Sequence, residues 1–166
     1  PQDYAEAMKW YRLAAEQGRA YAEYYLGHMY RKGQGVPQDY AEAVKWYRLA
    51  AEQGYASPQY DLGQMYRKGK GVPQDYAETV RLYRLAAKQG YDYAQTNLGV
   101  RYSKGQGVIQ DYAIAHMWYN IGAANGHELG GTNRDNLAKK MTQADISNAQ
   151  AMARECMSSN YKNCGY

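Results

Sequence analysis

The 166-residue sequence contains no phenylalanine at all, although it carries 20 Tyr and 3 Trp. A bias that sharp points to one short pattern being copied. Cysteine is scarce, and two residues, Cys156 and Cys164, are too few for a closed zinc site. No run approaches the roughly 20 apolar residues of a membrane span. No basic segment followed by an apolar one opens the sequence as a signal peptide would. Excess charge is missing too: 20 Lys and Arg face 16 Asp and Glu, a net charge of +4. With 45% hydrophobic and 22% charged residues, disorder and collagen are excluded and a soluble globular protein is expected.

The copying is direct. PQDYAEAMKWYRLAAEQG begins at Pro1, PQDYAEAVKWYRLAAEQG at Pro37, PQDYAETVRLYRLAAKQG at Pro73 and IQDYAIAHMWYNIGAANG at Ile109, each step being 36 residues. Residues 1–36 and 37–72 differ at 8 positions, and the second and third copies differ at 13. A period of this length predicts stacked supersecondary units.

Each unit reads as two helices. Tyr4, Ala7, Met8, Tyr11, Ala14 and Ala15 follow the three-and-four spacing of one helical face. Asp3 with Glu6, Asp39 with Glu42 and Asp75 with Glu78 fit an N-cap acceptor whose third neighbour reaches back to the cap amide. Gly18, Gly54 and Gly90 end those helices. A second helix is expected from about Tyr21 to Lys32, Pro58 to Lys68 and Tyr93 to Lys104, with Ser57 before Pro58 as one start. Gly33-x-Gly35-Val36 and its copies close it, and Arg31-Lys32, Arg67-Lys68 and Lys104 complement the helix dipole in the last turn.

The pattern LGxMYRKGxGVPQDYAEAxKWYRLAAEQG resembles the Sel-one-like repeat, a 36-residue relative of the tetratricopeptide repeat. The resemblance covers residues 1–127. It implies an all-α fold, a right-handed superhelical solenoid of antiparallel helix pairs. It also implies a non-catalytic scaffold for protein or peptide partners, with no cofactor. The chain opens on the second helix of a unit, so preceding sequence is expected to be missing.

Residues 128–166 depart from the repeat: Arg134 and Asp135 stand where Leu and Gly should, and the GxGV loop does not return. A helix over 128–141 and another after the Thr142/Asp145 capping box, with Ile146, Ala149, Ala153 and Cys156 on one stripe, predict a C-terminal helical cap. Some bacterial Sel-one-like proteins end similarly.

Comparing the copies with one another separates packing positions from free ones. Leu26, Gly27 and Tyr30 stay fixed as Leu62, Gly63, Tyr66 and as Leu98, Gly99, Tyr102, and the small Gly suits a closely approaching helix. Tyr21, Tyr25 and His28 vary to Ser57, Asp61, Gln64 and to Tyr93, Asn97, Val100. Spacings of four and three put each triplet on one face. The resemblance implies that these helices line the concave side, so the nine residues form a candidate partner-binding groove for a peptide or helix. The alternative is solvated surface drifting between copies. Tyr4, Tyr11 and Tyr30 recur and read as packing. Trp10, Trp46, Leu82 and Trp118 read as a position that needs bulk.

Chemistry-bearing motifs are thin. His28, His116 and His127 are isolated, and His116 replaces Met8, Val44 and Val80 at a packing position. HELGG at His127 lacks the second His of a zinc motif, and the GxGV turns lack the rest of a dinucleotide or Walker site. Some cysteine-rich family members carry a β-lactamase label, making an enzyme of that branch the alternative function. Ser159-Asn160-Tyr161-Lys162 matches SxxK, but it lies in the tail and no KTG follows. No catalytic residue, metal site or small-molecule substrate is therefore expected. Basic and acidic residues alternate on the Asp3-type helices, as with Arg12 and Glu16, so no nucleic-acid stripe is expected either. Cys156 and Cys164, eight apart, are a disulfide candidate if the chain turns back near Asn160; the alternative is two free thiols. A disulfide favours a periplasmic or secreted bacterial protein, free thiols a cytoplasmic one.

Overall fold

The computed structural model describes residues 3–164, and among them it holds nine α-helices and no strand. They are α1 (Tyr4–Glu16), α2 (Ala20–Lys32), α3 (Tyr40–Glu52), α4 (Ala56–Lys68), α5 (Tyr76–Ala87), α6 (Asp92–Lys104), α7 (Tyr112–Ala124), α8 (Glu128–Ala138) and α9 (Gln143–Ser158). The chain divides into two compact units, Pro1–Asp75 and Tyr76–Tyr166. In the first, α1 packs on α2, α2 on α3 and α3 on α4; in the second, α5 packs on α6, α6 on α7, and α7 on both α8 and α9.

The caps expected at Asp3 and Asp39 form, with one difference. Asp3 accepts from the amides of Ala5 and Glu6 at 3.1 Å each, and Asp39 from those of Ala41 and Glu42 at 2.8 and 3.0 Å. Glu42 does not complete the box, because the Asp39 amide already donates to the Tyr30 carbonyl at 2.9 Å. Glu42 pairs with Lys45 instead, and Glu6 accepts from the Trp10 indole at 3.3 Å. At α4 the helix begins at Ala56 behind Tyr55, which makes no side-chain cap. Ser57 therefore lies inside the first turn beside Pro58 rather than capping it.

The GxGV loops show why two glycines are required. Gly69 ends α4 at φ 62°, and Gly71 follows at φ 72°, both left-handed. A Cβ on Gly71 would also stand 2.2 Å from the Tyr40 carbonyl oxygen, so this loop lies directly on the first turn of α3.

Helix spacing is set by a ring on a glycine. A Cβ on Gly27 of α2 would stand 2.5 Å from the Tyr47 ring of α3, and one on Gly99 of α6 would stand 2.7 Å from the Tyr119 ring of α7. Tyr47 is fully buried, and its hydroxyl accepts from Arg31 Nε at 3.0 Å. Burial pushes that hydroxyl's pKa well above the usual tyrosine value. Polar links recur beside this contact: Gln53 donates to buried Glu23 at 2.8 Å, and Asn125 to buried Gln95 at 2.8 Å. Arg12 donates to the Tyr30 hydroxyl at 2.6 Å, Arg48 to that of Tyr66 at 3.0 Å, and Arg84 to that of Tyr102. The bulky position is not uniform. Leu82 and Trp118 are buried, whereas Trp10 is 65% exposed because no described helix covers that face of α1.

At the C-terminus Thr142 caps α9 through the Asp145 amide at 3.2 Å, and Ala149, Ala153 and Cys156 are buried. Asn160 and Tyr161, both at positive φ, turn the chain back so that Cys156 and Cys164 form a disulfide. His116 is 2% exposed on α7. Burial lowers its pKa and Arg134 lowers it further, against a smaller opposing effect of Asp135.

Two outcomes are expected. Gly27→Ala should destabilise the first unit by about 1–3 kcal/mol, the usual cost of overpacking, in urea unfolding; an unchanged midpoint would show that the Tyr47 ring yields freely. Because folded His116 binds a proton less readily than the unfolded chain, its contribution is complete above about pH 6.5 and is lost as pH falls below that. The melting temperature of wild type should therefore fall relative to that of His116→Val on acidification, and parallel pH profiles would remove His116 as the cause.

Candidate functional site

The structure brings six of the nine varying residues to one face of the first unit. Tyr21 and Tyr25, one turn apart on α2, have ring centroids 4.3 Å apart, and Tyr25 stacks on Tyr11 of α1 at 5.3 Å. Tyr21 is 64% exposed. These rings border a recess of about 440 Å³ whose other walls are Arg19, Tyr55, Ser57 and Pro58.

One turn further along, the second triplet meets the first. Asp61 of α4 accepts from the Tyr24 hydroxyl at 2.8 Å, and the same oxygen lies 3.3 Å from His28 Nε2. Arg31 donates to His28 Nδ1 at 3.1 Å, which leaves Nε2 to carry the proton aimed at Asp61. Since Arg31 also holds the Tyr47 hydroxyl, one chain of bonds links α4, α2 and α3. Gln64 donates to the Tyr60 hydroxyl at 2.6 Å and accepts from Arg67 at 2.8 Å. These positions vary between copies yet are engaged here, because the His28/Asp61 pairing exists only where those two residues face each other. The third triplet lies on α6 in the second unit. Tyr93 is half exposed with its ring edge-on to His127 at 4.6 Å, Asn97 donates to the Tyr93 carbonyl at 2.8 Å, and Val100 is half-buried.

A second recess, of about 740 Å³, is bounded by Asp61, Gln64 and five cations: Arg31, Lys32, Arg67, Lys68 and Lys70. Sequence reasoning assigned the helix-end cations to the helix dipole and missed that two consecutive helix ends face one space. A signal existed in the copies, since Gln34 and Gln106 flank Lys70 at the same repeat position. Lys70 donates to the Tyr40 hydroxyl at 3.2 Å and sits 4.7 Å from that ring's centre. Burial, followed by Arg67, Lys70 and Arg31, lowers the Lys68 pKa.

The described residues hold no group of three His, Cys, Asp or Glu side chains placed to bind a metal. Among those residues, no helix is long and apolar enough to cross a membrane. Ser159 is the C-cap of α9, and its hydroxyl donates to the Cys156 carbonyl at 2.9 Å while accepting from the Asn163 amide at 2.9 Å.

Comparison with known proteins gives consistent results. A protective antigen present in uropathogenic Escherichia coli strains, which displays an SLR fold, is 40% identical with a TM-score of 0.83 over 100% of this chain and 35% of its own. A Sel1 repeat protein from Oxalobacter formigenes is 33% identical with a TM-score of 0.73, covering 97% of this chain and 59% of its own. The chain thus spans about a third of the first structure and under two thirds of the second. No curated protein matches the sequence. The Sel1 repeat pattern matches residues 1–18, 20–55, 59–91 and 92–127, and the chain belongs to the Sel1 repeat family.

Proposed function

We propose that this chain is a non-catalytic protein-interaction scaffold that takes a protein or peptide partner on the face presented by the varying triplets. In the first unit that face is α2 and α4, and it is the concave face that the repeat resemblance implies. The observation that carries this reading is the tyrosine cluster. Tyr21 and Tyr25 stay exposed beside a recess although fixed tyrosines such as Tyr47 are fully buried. Exposed rings held in place by neighbours anchor a partner at low entropic cost. Residues 128–166 are proposed as the cap of the stack, with α8 and α9 covering α7.

An oxidising location, periplasmic or secreted, is part of the proposal. The disulfide between Cys156 and Cys164 supports it, because cytosolic thiols are kept reduced. Similarity to a protective antigen of uropathogenic Escherichia coli strains supports the same reading.

Peptides selected from a displayed random library against the wild-type chain should bind Tyr21→Ala/Tyr25→Ala at least tenfold more weakly, by fluorescence anisotropy, at an unchanged melting temperature. Equal affinity would remove this face from the proposal. Alkylation of the protein in intact source cells, before any reduction, should modify neither Cys156 nor Cys164; labelling of both would return the chain to a reducing compartment.

A further inference from the structure

The basic recess of the first unit identifies the chemistry of the partner, on the premise that the unit binds peptides at all. Five cations converge on it from two helix ends: Arg31 and Lys32 from α2, Arg67 and Lys68 from α4, and Lys70 from the loop that follows. None of the five forms a salt bridge with a carboxylate of the described residues. Arg31, Arg67 and Lys70 are positioned by neutral partners: His28 with Tyr47, Gln64, and Tyr40. Those partners fix geometry without cancelling charge. The helix dipole accounts for cations in a last turn, but it does not account for Lys70, which lies beyond α4 where two other copies carry Gln.

The corresponding recess one repeat earlier has different walls. It has about 430 Å³ and is bounded by Asp3, Tyr4, Tyr25, His28, Lys32 and Gln34, with Lys32 its one cation. Among the described residues no end of a preceding helix borders that space, so the helix-end cations gather only where the ends of α2 and α4 adjoin, and Lys70 stands where the earlier recess has Gln34.

We propose that the recess between the ends of α2 and α4 receives an acidic peptide segment of a partner protein, whose Asp or Glu side chains meet Arg31, Lys32, Arg67, Lys68 and Lys70. Asp61 in the wall favours a peptide over a polyphosphate backbone: it repels closely spaced phosphates, while a peptide brings N–H donors as well as carboxylates. Gln34, Gln38 and Gln64 line the same space and suit main-chain amides. The exposed tyrosines of α2 lie on the same helix face, so one extended segment can place apolar residues on Tyr21 and Tyr25 and acids in the recess.

The test uses the full chain and three fluorescent probes: a 12-residue peptide with six Glu and two Leu, the same peptide with Gln for Glu, and a 12-nucleotide single-stranded DNA. Anisotropy at low salt should show the Glu peptide binding at least tenfold more tightly than the other two. Lys68→Gln/Lys70→Gln should weaken it about tenfold, as expected for two screened charge contacts, and added salt should weaken it further. Lys139→Gln/Lys140→Gln, which removes the same charge from the turn just after α8, should leave it unchanged. Equal weakening by both variants, or DNA binding as tightly as the Glu peptide, overturns the proposal. If library-selected peptides prove neutral and depend on Tyr21 and Tyr25 alone, the acidic preference fails while the scaffold reading stands. If neither these probes nor a random library yields a binder, both fail.

Discussion

A tyrosine ring occupies the space that a side chain would need at Gly27 and again at Gly99, and the distance between neighbouring helices follows from that contact. With the rings of Tyr47 and Tyr119 seated there, Leu26 and Leu98 are fully buried alongside. The hydroxyl of Tyr47 then needs a partner, since a buried polar group without one costs about 1–3 kcal/mol. Arg31 supplies it from the last turn of α2. Arg31 in turn holds His28, and His28 points to Asp61. The polar network on the candidate face is thus a continuation of the core contact, and that face inherits its geometry from a packing requirement.

The repeat, the helix pairs and their glycine stops were legible because each rests on a local rule that the copies state several times. Asp at the cap and Gly at a positive φ are such rules. The reach-back of Glu42 was misjudged because it depends on the Asp39 amide, and that amide is used by the Tyr30 carbonyl nine residues earlier. A spacing argument confined to one helix has no access to that bond. The need for bulk shared by Trp10 and its copies does not tell which of them is buried, because burial belongs to the neighbour that covers a position, and α1 has no described neighbour on that face.

The candidate site was legible by a different route. Variation between internal copies located Tyr21, Tyr25, His28, Ser57, Asp61 and Gln64, and the structure sets those six on one face of the first unit. What variation did not reveal is that His28 and Asp61 pair, since each was compared with its copies and not with the other. The basic recess was hidden for a related reason. Lys32 and Lys68 occupy the same repeat position, and a comparison of copies treats them as one feature repeated, while the fold makes them two charges around one space. The proposed function rests on adjacency between repeats, which a repeat sequence encodes only implicitly.

The division of labour between fixed and varying positions is the central claim. It is tested most directly by substituting each residue of α2 and α4 in turn and scoring every variant twice, for protease resistance and for capture of a bound peptide. Substitutions at Leu26, Gly27, Leu62 and Gly63 should lose resistance, whereas those at Tyr21, Tyr25 and Gln64 should lose capture with resistance intact. Loss of both properties together at the varying positions, or capture that survives at all of them, would contradict it.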